Sequence, residues 1–153
     1  VATQDYKDAL EVLDYVYEKI ESNKADLGIN FVARIDEELL PEYPAVLVSM
    51  ERPLDRELHA TQQFMVTFYL DIFIFHAKLS VGKAIRSRED IQLATNVRKL
   101  IHADFTLGDH IIFGFVNGEY PGVTSRVIGQ KARSVVTTRL TWVGQNRVRF
   151  EDS

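Results

Sequence analysis

FMVTFYLDIFIFHA, running from Phe64 to Ala77, decides the fold. With the two-residue period of a strand, one side carries Phe64, Val66, Phe68, Leu70, Ile72 and Ile74. That side is apolar throughout, as a core-facing side must be. The other side carries Met65, Thr67, Tyr69, Asp71, Phe73 and Phe75. A solvated side would not present two phenylalanines, a tyrosine and a methionine, so this second face also calls for a cover. The stretch, from about Gln63 to His76, is the longest predicted strand and the expected centre of a sheet.

The elements around it follow from periodicity and punctuation. Tyr6, Ala9, Leu10, Leu13, Val16, Tyr17 and Ile20 form one helical stripe, predicting a helix from Thr3 to Asn23 with Thr3 as N-cap. Ile29 to Ile35 alternates as a short strand, and Ala45 to Met50 reads as a buried one. ERPLDRELHATQ is polar and holds Pro53, which predicts the long tip of a hairpin. Ser87 and Asp90 resemble a capping box opening a helix from about Arg88 to His102, with Ile91, Ala94, Val97 and Ile101 on one face.

Six of the eight glycines lie in the last third. There, IIFGFV reads as a strand and Asn117-Gly118 as a type I′ hairpin turn. EYPGV reads as a short or irregular return, and Ala132 to Val143 as a long β-branched strand. NRVRFEDS is left as an edge strand or frayed tail. The expected fold class is α+β: one domain over 1–153, a largely antiparallel sheet with two main helices packed on one face.

Composition narrows the chemistry. The 153 residues contain no cysteine, which excludes disulfides, thiolate nucleophiles and zinc-thiolate sites. The opening residues, VATQDYKDAL, resemble neither a signal nor a transit peptide, and no apolar run is long enough to span a bilayer as a helix. Residues 1–57 hold 14 acids and 6 bases, giving −8; residues 58–153 hold 8 acids and 12 bases, giving +4. From Tyr120 to Phe150 there are six bases and no acid. Such a strip is either a solvated face or a surface for an acidic partner or for DNA phosphate.

No catalytic constellation appears. His59, His76, His102 and His110 have no metal-ligand spacing, and P-loop, dinucleotide and nucleophile-elbow motifs are absent. Asp36, Glu37 and Glu38 lack a second ligand group at a recognisable spacing, so neither metal nor cofactor is expected. Asp71, mid-strand among aromatics, is the one unusual acid. It reads as a perturbed carboxylate in a ligand pocket or enzyme site, as an interface ion-pair partner, or as a solvated residue near a sheet margin. Bases interleaved with Phe113, Phe115, Trp142 and Phe150 carry no RNP-type motif.

The order of features resembles the tail terminator proteins of long-tailed bacteriophages, also called tail completion or tail-to-head joining proteins. The likeness spans about Tyr6 to Phe150. It rests on the N-terminal amphipathic helix, EYPAVLVSMERP, QQFMVTFYLDIFIFHA, SREDIQLATNVRKLIHAD and the closing strand SVVTTRLTWV. The resemblance implies a non-enzymatic virion protein, localised to the tail or neck, that forms a homo-oligomeric ring, usually of six copies. The ring would cap the tail tube and join it to the head connector, with no membrane role. Another neck, head-completion or minor tail protein is the nearest alternative, and a small ligand-binding or enzyme domain using Asp71 is the alternative from a different class. Under the ring reading, Tyr69, Asp71, Phe73, Phe75, Arg133 and Arg139 are the expected subunit contacts. Lys78, Lys83, Arg86 and Arg88 are expected on an exposed loop facing the lumen and passing DNA.

Overall fold

A computed structural model of the chain describes residues 6–34, 42–50, 54–79, 86–128 and 131–152, with backbone alone for 77–79, 126–128 and 131–133. The elements run α1 (Ala9–Ser22), α2 (Lys24–Leu27), β1 (Phe31–Arg34), β2 (Ala45–Ser49), β3 (Asp55–Ala60), β4 (Gln63–Leu79), α3 (Arg88–His102), β5 (Phe113–Ile128) and β6 (Lys131–Arg149), closed by a 3-10 turn at Phe150–Asp152. The sheet is ordered β1-β2-β4-β6-β5, and β3 pairs with the first part of β4. Every pairing is antiparallel except β1 with β2. The fold is therefore α+β, as the alternation and helical stripes predict.

β4 is central because it is long enough to serve three neighbours. Its first residues, Gln63 to Thr67, pair with β3; Asp71 to Phe75 pair with β2; and β6 runs along the opposite edge. Phe68, Leu70, Ile72 and Ile74 are fully buried against both long helices, in a core shared with Val12, Val16, Ile20, Ala94, Val97 and Ile101. The apolar side of the opening stretch has its cover within the chain. Both helices are nonetheless rotated or trimmed relative to the sequence reading. α1 starts at Ala9 with Asp8 as its cap, accepting from the Glu11 N–H at 3.0 Å, whereas the predicted cap, Thr3, lies outside the described residues. Val12 turns inward, and Leu10 is left 58% exposed. On α3, Asp90 is buried where Ile91 was expected, and Ile91 faces out.

Three strand predictions need correction. Asn117-Gly118 is not a turn but an irregularity inside β5, which runs on to Ile128. Gly118 is not among the residues of positive φ, so the type I′ geometry is absent. Its missing Cβ instead admits the Thr141 hydroxyl, which would lie 2.7 Å from a Cβ there. Pro121 is tolerated because β5 is an edge strand and no outer neighbour needs its N–H. The polar stretch before Gln63 contains a strand, β3, all of whose residues are exposed; it turns into β4 at Thr61-Gln62. The tail is not a separate strand: Asn146 to Arg149 continue β6, paired with β4 alone because β5 begins opposite Gln145.

Candidate functional site: the helix-free face of the sheet

The strand register assembles the second face row by row. Leu47, Phe73, Arg139 and Tyr120 lie side by side across β2, β4, β6 and β5; the next row is Ser49, Asp71 and Thr141. Beyond it come Tyr69, Val143 and Phe115, and then Asp55, Thr67, Gln145 and Phe113. Among the described residues no helix lies on this face; α1 and α3 both pack on the other. Leu47, Tyr69, Phe73, Phe113 and Val143 are half-buried, and Phe115 and Tyr120 are exposed. The face is thus an apolar band with polar groups set into it. Such a contiguous band on one side of a sheet is the physical signature of a contact surface.

Its polar groups are held in place. The Tyr69 hydroxyl donates to Asp55 Oδ2 at 2.7 Å, and the Gln145 amide donates to Thr67 Oγ1 at 3.2 Å. The Arg139 guanidinium lies 4.9 Å from the centroid of the Tyr120 ring, an attraction between cation and π face. Thr141 Oγ1 donates to Asn117 Oδ1 at 2.7 Å, which ties the β5 irregularity to β6. At one end Phe75 is fully buried with Ala33, Ala45 and Val135, and Phe31, Tyr43, Leu47 and Phe73 pack around them. At the centre Asp71 and Ser49, cross-strand partners, are each only 5% exposed.

The structure brings four of the six expected contact residues, Tyr69, Asp71, Phe73 and Arg139, onto the open part of this face. Phe75 shares the face but is sealed within its small cluster, away from the open part of the band. Arg133 lies on β6 beyond the last β4–β6 pair, Leu79 with Val135, and its side chain is outside the description. The basic loop expected at Lys78, Lys83, Arg86 and Arg88 is only partly a loop. Lys78 belongs to β4, Lys83 lies outside the described residues, and Arg88 is the exposed first residue of α3. Arg86 does not extend freely toward a lumen. Its Nη1 donates to Glu119 Oε2 at 3.1 Å and to Thr138 Oγ1 at 3.4 Å, so it clasps the start of α3 to β5 and β6.

Under that clasp lies a cluster the sequence did not reveal. His76 Nε2 is 2.9 Å from Thr138 Oγ1; its Nδ1 is 3.5 Å from Asp90 Oδ1, a proximity that is not a hydrogen bond and leaves Nδ1 buried without one. Asp90 also closes the capping box: its Oδ2 accepts from the Ser87 N–H at 2.9 Å, and the Ser87 hydroxyl accepts from the Asp90 N–H at 3.2 Å. Hydroxyl, imidazole and carboxylate stand in the order of a nucleophilic triad. Thr138 is fully buried and His76 is 1% exposed, however, so no substrate can reach them and the cluster is a structural lock. Nothing local signals it, because the three groups come together only through the β4–β6 register and the packing of α3.

The lock predicts a pH dependence. Burial, with a smaller push from Arg86, holds the His76 imidazole below its ordinary value, and Asp90 opposes this only in part. The unfolded chain therefore takes up the proton more readily than the folded one. The stabilisation is fully present above the ordinary histidine range, about pH 6.5, and is lost as pH falls from there toward the depressed folded value. Urea unfolding at pH 7.5 and at pH 5.0 is expected to show a loss of stability in acid that shrinks in His76→Gln. An unchanged acid loss in that variant would assign the effect to other groups.

The described residues contain no group of three or more His, Cys, Asp or Glu able to hold a metal ion. An open groove of about 480 Å³ between the β3–β4 turn and the end of β6 is lined by Thr61, Gln62, Gln63, Arg149, Phe150 and Glu151, with no pair of carboxylates and no histidine. No helix among the described residues is long and apolar enough to cross a membrane. No protein-family model matches the sequence, and no curated protein matches it.

Proposed function

We propose that this chain is a non-enzymatic virion assembly protein: a ring-forming tail terminator that caps the tail tube and receives the head connector. The observation that carries this reading is the helix-free face. Its half-exposed band of Leu47, Tyr69, Phe73, Val143 and Phe115 offers a neighbouring copy an apolar surface to bury. The mechanism is binding alone. Contacts between unlike patches repeat around an axis and close into a ring. One ring surface docks the last ring of the tube and stops its growth, and the other meets the connector. The resemblance in the order of elements supplies the family; the acidic first part and basic second part of the chain suit unlike patches meeting head to tail.

Sedimentation velocity across a concentration series, with negative-stain images alone and with tail tubes, tests it. The expected result is a discrete ring that seats on tube ends and limits tube length. Phe73→Asp, which places a charge in the centre of the band, is expected to shift the chain toward monomer while leaving its circular dichroism unchanged. A stable monomer at every concentration, also with tubes present, would sink the reading. Loss of a small-molecule activity in Asp71→Asn, with assembly intact, would replace it with the ligand-binding or enzymatic one.

A further inference from the structure

The centre of the helix-free face holds two polar side chains, Ser49 and Asp71, set into the apolar band. The Ser49 hydroxyl is buried without a hydrogen-bond partner, and Asp71 lies directly across the β2–β4 ladder from it. Both residues are 95% shielded from solvent, each being 5% exposed. Unlike the Ser49 hydroxyl, the Asp71 carboxylate oxygens are not sealed without a partner: no hydrogen bond or ion pair to them is present among the described residues, and they keep contact with solvent. On the other flank the Thr141 hydroxyl has given its proton to Asn117, so it too presents only lone pairs. A carboxylate is an acceptor only, so whatever docks on it must donate. The apolar neighbours Leu47, Tyr69 and Phe73 would exclude water from any donor that docks there.

The donor this site fits is a cationic side chain, and the sheet shows where one is carried. β5 and β6 stay paired as far as Ile128 with Lys131, but β4 leaves β6 at Val135. The first four residues of β6, 131–134, therefore form with β5 an arm about 13 Å long at ~3.3 Å per residue. Arg126, Lys131 and Arg133 lie on that arm, within the strip that has six bases and no acid. The arm cannot serve its own Asp71. That residue pairs with Thr141, ten residues along β6 from Lys131, roughly 33 Å away. Arg139, the nearest described base on the face, is engaged with the Tyr120 ring.

We propose that Asp71 is the receptor for a basic side chain from the β5–β6 arm of a second copy of this chain. The inference rests on the assembly reading above and names its lock. Arm and receptor are different patches, so the contact is heterologous: each copy gives an arm to one neighbour and takes one from the other. A carboxylate met by a guanidinium or ammonium in a dry surround is a charge-assisted pair, which contributes orientation as well as affinity.

The test is the self-association of the full chain by sedimentation velocity, for wild type, Asp71→Asn, the arm variant Arg126→Glu with Lys131→Glu and Arg133→Glu, and all four changes together. Asp71→Asn keeps the side-chain shape, and the arm changes lie beyond β4, so circular dichroism melts are expected to match wild type. Each variant is expected to raise the dissociation constant at least tenfold, and the combination no further than the worse of the two. If wild type associates and Asp71→Asn associates equally well, the receptor is wrong and the ring reading stands. If Asp71→Asn weakens association and the arm variant does not, the arm is not the occupant and the proposal falls. A wild-type chain that is monomeric at all concentrations, tubes included, removes the ring reading itself.

Discussion

Trp142→Ala is expected to lower the free energy of unfolding by about 3–5 kcal/mol, the largest single loss among the core positions. The indole is fully buried on the helix side of β6. It sits opposite Leu70 on β4 and Val116 on β5, at the point where the three longest strands run side by side. Truncation would remove the largest buried side chain and leave a cavity that two flanking strands and a helix layer cannot collapse around. Urea unfolding followed by circular dichroism measures it, as a drop in midpoint at constant slope. Trp142→Phe separates volume from polarity. The indole N–H is buried without a partner, so the phenyl ring loses some packing but also removes an undonated hydrogen. A cost well below that of the alanine variant is expected.

Gly144→Ala is the second large effect, and it has the opposite cause. Gly144 and Gly114 face each other across β5 and β6, and the Trp142 ring lies over both. A Cβ at Gly144 would stand 2.3 Å from the ring carbon Cη2, and one at Gly114 2.1 Å from Cζ2. The obstacle is a buried ring between two strands, not the free end of a flexible side chain. The ring or the strand must move, at about 1–3 kcal/mol or more. The two changes should therefore be strongly non-additive: in a Trp142→Phe background, Gly144→Ala is expected to cost much less. Equal costs in both backgrounds would place the strain elsewhere. These glycines are required by close approach, not by an unusual backbone angle; neither has a positive φ.

The legibility of this chain varies with the range of the signal. Ser87 and Asp90 announce the start of α3 correctly because a capping box is a contact between residues three apart. The apolar side of β4 is legible because alternation is a property of the strand alone. Asn117-Gly118 misleads because the same dipeptide serves a turn or a bulge, and only the distant Thr141 decides between them. β3 is missed because a strand exposed on both faces has no alternation to display. Asp90 displaces Ile91 from the inner face of α3 because His76, fourteen residues earlier, waits beneath it.

The candidate surface divides the same way. That Tyr69, Asp71 and Phe73 share one side of a strand is written in their two-residue spacing. That this side carries no helix among the described residues, that Arg139 and Tyr120 join it, and that Ser49 and Asp71 meet at its centre depend on register across four strands. The α+β class, the central strand and the placing of two helices on its apolar side are legible in the residue order, because these follow from periodicity within single elements. Which residues of distant strands stand side by side emerges from the assembled sheet alone. Register is set by pairing across the whole sheet, and no local pattern encodes it.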